Sequence, residues 1–116
     1  MSSNRELFGE YILLTNFIGY VDLFAEKYNV GVIGRDKAMQ TATYKNITII
    51  NFGMGSAMAA TVMDLLSAIM PKAVLFLGKC GGLKRKTEVG DFIIPMAAIR
   101  GEGTSNEYLP EEVPAL

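Results

Sequence analysis

Apolar and polar residues fall into blocks along this chain, and the blocks differ in period. Tyr11-Ile12-Leu13-Leu14-Thr15-Asn16, Ile47-Thr48-Ile49-Ile50-Asn51-Phe52 and Ala73-Val74-Leu75-Phe76-Leu77 are short runs, apolar on both faces of a pleat. Such runs predict buried strands of a mostly parallel sheet. Between them the period lengthens. Gly19 to Tyr28 sets Val21, Leu23, Phe24 and Tyr28 against Asp22, Glu26 and Lys27, the pattern of a helix lying on a sheet. Ala57 to Met70 reads as a second helix, apolar nearly all round, with Ser56 as N-cap and Pro71 as its stop. Further strands are predicted at Val30-Gly31-Val32-Ile33 and from Phe92 to Ile99. Residues 38 to 44 read as extended, and Tyr44-Lys45-Asn46 as a hairpin-like turn. Residues 1 to 10 read as a poorly ordered leader.

The stretch Ile47 to Leu83 is thus a βαβ unit. Its strands run into two glycine-rich turns, Gly53-Met54-Gly55-Ser56 and Gly78-Lys79-Cys80-Gly81-Gly82. In an open parallel sheet, ligands bind outside the carboxyl ends of the strands, so both turns are expected at one rim. The backbone N–H groups of the first turn, with a helix N-terminus behind them, suit an anion. The turn lacks the third glycine of the dinucleotide fingerprint, since Met58 stands there, and it is no Walker loop. It is either a phosphate or ribose site or a plain tight turn. Lys79, beside three glycines, is either a point charge for a phosphate or a surface lysine. Arg35 and Arg100 stand isolated beside loops, each a candidate for a bidentate phosphate contact or for an ion pair. Glu102, flanked by glycines, marks a mobile loop rather than a base, and Asp91 reads as a turn carboxylate.

Composition narrows the choice. The chain has 116 residues, half of them hydrophobic, and a net charge of −1, so one α/β domain is expected and no basic excess points to nucleic acid. No apolar run reaches the length of a membrane span. Histidine is absent, which removes Ser-His-Asp and Cys-His chemistry and histidine metal sites from this chain. Cys80 is the single cysteine, so a reducing cytoplasm is the expected compartment, and without a histidine partner Cys80 reads as a small half-buried packing residue. No metal site or cofactor is expected. Two helices are few for so apolar a sheet. The chain therefore reads either as a small complete domain or, preferably, as a front half whose remainder is missing or supplied by another chain. The apolar second helix leads us to expect a homo-oligomer.

The ordered segments Asn51-Phe52-Gly53-Met54-Gly55-Ser56, Phe76 to Leu83, Val89-Gly90-Asp91 and Ala97 to Ser105 resemble the nucleoside phosphorylase / nucleosidase superfamily. Within it the likeness is to the bacterial AMP nucleosidase branch, including Glu10 to Asn16 and Met63-Asp64-Leu65-Leu66, and it covers residues 7 to 116. The resemblance implies a partial nucleoside-phosphorylase-like α/β fold with a mostly parallel central sheet and flanking helices. It implies cleavage of AMP by water to adenine and ribose 5-phosphate. It places Thr15 and Asn16 at a phosphate-holding loop, Arg35 near a residue that reaches a neighbouring subunit, and Gly53 and Met54 on the ribose side. Lys79, Cys80 and Gly81 would lie along ribose, phosphate and base.

The departures from the family pattern carry information too. Phe76 stands where phosphorolytic relatives place an arginine for inorganic phosphate, which favours hydrolysis. Lys79 replaces a small hydroxyl-type residue, which suits a 5′-phosphate. Ala57 and Met58 replace a proline and an asparagine. The family's methionine–glutamate pair and leaving-base aspartate belong to a second half that these residues do not include. No catalytic residue is therefore expected in this chain, and it is expected to be inactive alone. The alternatives are a non-catalytic nucleotide-binding or subunit-interface module and a purine or uridine nucleoside phosphorylase.

Overall fold

The protein is described here from a computed structural model covering residues 8–116. It divides into two compact units, the first ending at Gly78 and the second running Lys79–Leu116. The first unit holds β1 (Tyr11–Thr15), α1 (Ile18–Tyr28), β2 (Gln40–Tyr44), β3 (Ile47–Asn51), α2 (Ser56–Ser67) and β4 (Ala73–Leu77). The strands form one sheet in the order β2-β3-β1-β4. β1 is parallel to both β3 and β4, with Thr15 level with Asn51 on one side and Leu77 on the other. β2 returns antiparallel to β3. The expected α/β class is what is found, and the carboxyl ends of β1, β3 and β4 share one rim.

Alternation of side chains across the pleat builds two cores from the same strands. On one face Ile12, Leu14, Ile50 and Phe52 pack against Val62 and Leu66 of α2. On the other, Ile49 and Ala42 pack against Val21 and Ala25 of α1. Helix α1 lies over β2 and β3, so the matching face of β4 stays open and Leu75 is 61% exposed. Thr48 is fully buried, and its hydroxyl is satisfied by the Thr43 hydroxyl at 2.8 Å and by the Gly9 N–H at 2.8 Å. Gly9 is required by close approach, since a Cβ there would stand 2.2 Å from the Asn46 carbonyl carbon. Phe8 packs on the α2-side core, and Glu10 pairs with Lys72 at 3.0 Å. The rest of the expected leader, residues 1–7, lies outside the described residues. Between β2 and β3, Lys45 takes a φ of 53°, the positive value that tight hairpin turns demand of their first residue.

Three expectations are corrected. Residues 30–33 form no strand: Ile33 alone bridges to Thr41, and the chain then turns at Gly34 with φ 76°. Val30 and Val32 instead pack into the α1-side core. The run from Phe92 to Ile99 forms no strand either. Pro95 removes a donor, Ala98 with Ala115 is the only pairing among the described residues, and Phe92, Ile94, Met96 and Ile99 are exposed. An apolar run becomes a strand only when a neighbouring strand completes its hydrogen bonds. Lastly, α2 begins one residue earlier than expected, with Gly55 as N-cap and Ser56 inside the helix, and it ends at Ser67 rather than Met70. Met70, before Pro71, is forced off the helical region and adopts φ 50°.

The second unit contains a 3₁₀ turn, Thr104–Glu107, and the Ala98–Ala115 bridge. The two-core account of the first unit has a direct consequence. Ile49→Ala is expected to cost about 2–5 kcal/mol, whereas Leu75→Ala on the open face is expected to cost under about 0.5 kcal/mol, both measured by urea unfolding.

Candidate functional site

At the shared rim of the first unit, a cleft of about 500 Å³ opens between the sheet and the start of α2. Phe52 and Phe76, with ring centroids 5.9 Å apart, give it an apolar floor, while Asn16, Gly55 and Ser56 give it polar groups. An apolar cleft with a few convergent polar groups is the usual form of a small-molecule site. Asn16 follows β1 directly. Its side-chain Oδ1 is buried, and no donor reaches it among the described residues. A buried acceptor left unmet costs about 1–3 kcal/mol, so a ligand donor at this position would be favoured.

Local sequence explains how the rim is shaped. Thr15 is fully buried, its hydroxyl accepts the Phe17 N–H at 3.2 Å, and its carbonyl accepts the Phe52 N–H at 3.0 Å. These bonds turn the chain out of β1 and hold the start of the glycine turn against it. Gly53 and Gly55 both have φ near 90° (92° and 91°), a region open to glycine and strained for other residues. Nothing lies within 4 Å of where a Cβ would stand at either. The conformation, not crowding, calls for glycine. Met54 between them is 81% exposed at the tip of the turn. The positive dipole end of α2 stands at this rim, with no acidic residue in the first turn to neutralise it.

Of the predicted site residues, the structure brings together Asn16, Thr15 and the turn carrying Gly53 and Met54. Arg35 lies elsewhere on the first unit, in the turn after Gly34, where its guanidinium donates to Asp22 of α1 at 2.7 Å. Both partners are exposed, so the pair adds at most about 1 kcal/mol. In the second unit, Lys79, Cys80 and Gly81 are exposed. Cys80 is therefore not the half-buried packing residue expected; its thiol is free and open to solvent. Arg100 is committed to its own unit: Nε donates to the Val113 carbonyl at 2.5 Å, Nη1 to the Ser105 carbonyl and hydroxyl at 3.1 and 3.0 Å, and Nη2 to the Pro110 carbonyl. Glu102 faces the same turn, accepting the Ser105 N–H at 3.3 Å on each oxygen. Hydrogen bonding from the Ser105 side chain, and less strongly from its N–H, holds the Glu102 carboxyl below the usual value, against the opposing effect of desolvation. Asp91 is the expected turn carboxylate and accepts the Glu88 N–H at 2.9 Å.

Sequence reasoning missed the floor of the cleft as a pair, because Phe52 and Phe76 are neighbours only through the β3-β1-β4 order. Among the described residues no three His, Cys, Asp or Glu side chains gather as a metal site, and no helix is long and apolar enough to cross a membrane.

Residues 10–116 match the profile of the Phosphorylase superfamily. The chain is 34% identical over 74 residues to an AMP nucleosidase of Escherichia coli, a stretch covering 64% of this chain and 15% of that protein. It is likewise 34% identical over 84 residues to a uridine phosphorylase of Thermococcus kodakarensis, covering 71% and 30%. Among solved structures, an AMP nucleosidase from Bacteroides thetaiotaomicron is 61% identical, with a TM-score of 0.88, over 97% of this chain and 47% of that one. A uridine phosphorylase from Vibrio fischeri shares the fold at 23% identity, with a TM-score of 0.79 over 95% of this chain. The chain thus spans less than half the length of each of the first three.

The Glu102 contact has a pH signature. A carboxylate whose value is lowered by folding stabilises above its unfolded value and loses that contribution as pH falls. The Ser105 amide is therefore expected to be protected from exchange at pH 6 and to lose protection, relative to its intrinsic rate, below about pH 4. Glu102→Gln should remove this dependence.

Proposed function

The chain belongs to the phosphorylase superfamily, and from that premise we propose that it is the front half of an AMP nucleosidase-type N-glycoside hydrolase. The observation that carries the reading is 61% identity to an AMP nucleosidase along 97% of this chain. In the reaction, water attacks ribose C1′ of AMP and the bond from C1′ to the purine breaks. Its electron pair passes to the base, which is protonated to adenine, leaving ribose 5-phosphate. The transition state resembles an oxocarbenium ion, so the site must hold the sugar and exclude stray water while charge develops.

In this reading the rim of the first unit is a sugar-phosphate site. The glycine turn beyond Gly53 and the N-terminus of α2 meet the anionic end. Asn16 accepts a hydroxyl, Thr15 holds the loop, and Gly53 and Met54 border the ribose. By its place in the sequence, two residues after β4, Lys79 is assigned the preference for a 5′-phosphate, with Cys80 and Gly81 beside it. Proton transfer to the base is assigned to residues outside this chain, since no histidine is present and, among the described residues, no carboxylate lines the cleft. Phe76 lining that cleft, where phosphorolytic members of the superfamily carry a cation, favours water over inorganic phosphate as nucleophile. The exposed Met58, Met63 and Leu65 of α2 support self-association, and a cytoplasmic enzyme is the corresponding setting.

Calorimetry with AMP, adenosine and phosphate tests the reading. AMP is expected to bind about tenfold more tightly than adenosine, and Lys79→Gln to erase the difference. Equal affinity for adenosine would remove the nucleotide assignment. The chain alone is expected to release no adenine. Turnover at about 1 s⁻¹ or faster would refute the half-site account.

A further inference from the structure

Two amide side chains outside the cleft join the turn of Arg35 to the glycine turn of the rim. Gln40 of β2 and Asn51 of β3 stand directly opposite one another in the antiparallel pair. The Asn51 Nδ2 donates to Gln40 Oε1 at 2.8 Å, and Asn51 Oδ1 accepts the Gly53 N–H at 3.2 Å. At the other end, Gln40 Nε2 donates to the Lys37 carbonyl at 2.6 Å. The Lys37 N–H in turn closes on the Gly34 carbonyl at 2.9 Å, making the turn that carries Arg35. Each amide thus uses its donor on one neighbour and its acceptor on the other, so the donors run in a single direction from Gly53 to Lys37.

Gly53 needs such a restraint. Glycine visits positive and negative φ with similar ease, so its own chemistry does not select 92°. Packing does not select it either, since the space about its Cα is open. What meets its N–H is the Asn51 carboxamide, and what orients that carboxamide is Gln40. We infer that the Gln40–Asn51 pair is a positioning device: it fixes the backbone of Gly53, and through it the course of the turn that brings Gly55 and Ser56 to the cleft. Asn51 and Gln40 are positioning residues in this role and are not themselves lining the cleft. The pair also links the Arg35 turn to the rim, so a change at either end reaches the other through two side chains. The assignment rests on the nucleotide reading above for the ligand used to probe it, but not for the coupling itself.

Three variants of the full chain separate the possibilities: Gln40→Leu, Asn51→Ala and Asn51→Asp. The last keeps an acceptor for the Gly53 N–H. Three quantities are measured on each: exchange of the Gly53 amide by NMR, AMP affinity by calorimetry, and Tm. Gln40→Leu and Asn51→Ala are expected to speed Gly53 exchange and to weaken AMP about fivefold, with amides of β1 unchanged. Asn51→Asp is expected to restore Gly53 protection, and it serves as the folded variant if Asn51→Ala does not fold. Unchanged Gly53 exchange in Asn51→Ala or Gln40→Leu would overturn the inference. So would faster exchange spread equally through β1 and β3, which marks general destabilisation. If the unaltered chain binds no AMP, the nucleotide reading fails and Gly53 exchange alone decides the coupling.

Discussion

The parallel pairing of β1 between β3 and β4 is the constraint on which the first unit depends. It places Thr15, Asn51 and Leu77 in one row, so that three chain segments leave the sheet at the same rim. It also makes each strand two-faced: successive residues such as Ile49 and Ile50 serve opposite cores, one under each helix. A one-residue slip of β3 would exchange those faces and expose both sets, which is why register here is strongly specified. The rim, the cleft and the glycine turn all follow from that row.

Above the row, the chemistry comes from backbone more than from side chains. Gly53 and Gly55 let the chain double back at positive φ and start α2 with its donors facing the rim. Thr15 is buried and local in its bonding, so its contribution is shape. Asn16 contributes a buried acceptor, and the two phenylalanines contribute an apolar floor. On the proposed reading such a cleft receives a sugar-phosphate, and the proton donor for the base is supplied from elsewhere. That division agrees with a chain spanning 47% of a similar nucleosidase.

Much of this was legible in the sequence, for identifiable reasons. β1, β3 and β4 declare themselves because a strand buried on both faces is a continuous apolar run, and α1 because its polar and apolar residues segregate. The glycine turn was readable since only glycine accepts its φ values. Other features depended on partners that the sequence does not reveal. β2, Gln40–Tyr44, read as extended, is polar on its own and is a strand because β3 lies beside it. Phe92 to Ile99 has the composition of a strand and lacks the neighbour. Ser56 looks like a cap, but Gly55 takes that position with a backbone conformation that serine resists. The facing of Gln40 with Asn51, and of Phe52 with Phe76, required the strand order and register.

The central claim is that the rim above β1 and β3 receives a purine nucleotide. The most direct measurement is an NMR titration of the isotope-labelled chain with AMP. The account predicts saturable shifts concentrated at the backbone amides of Asn16, Gly53, Gly55 and Ser56 and at the side-chain amide of Asn16. Shifts confined to other parts of the chain, or none at millimolar AMP, would contradict it.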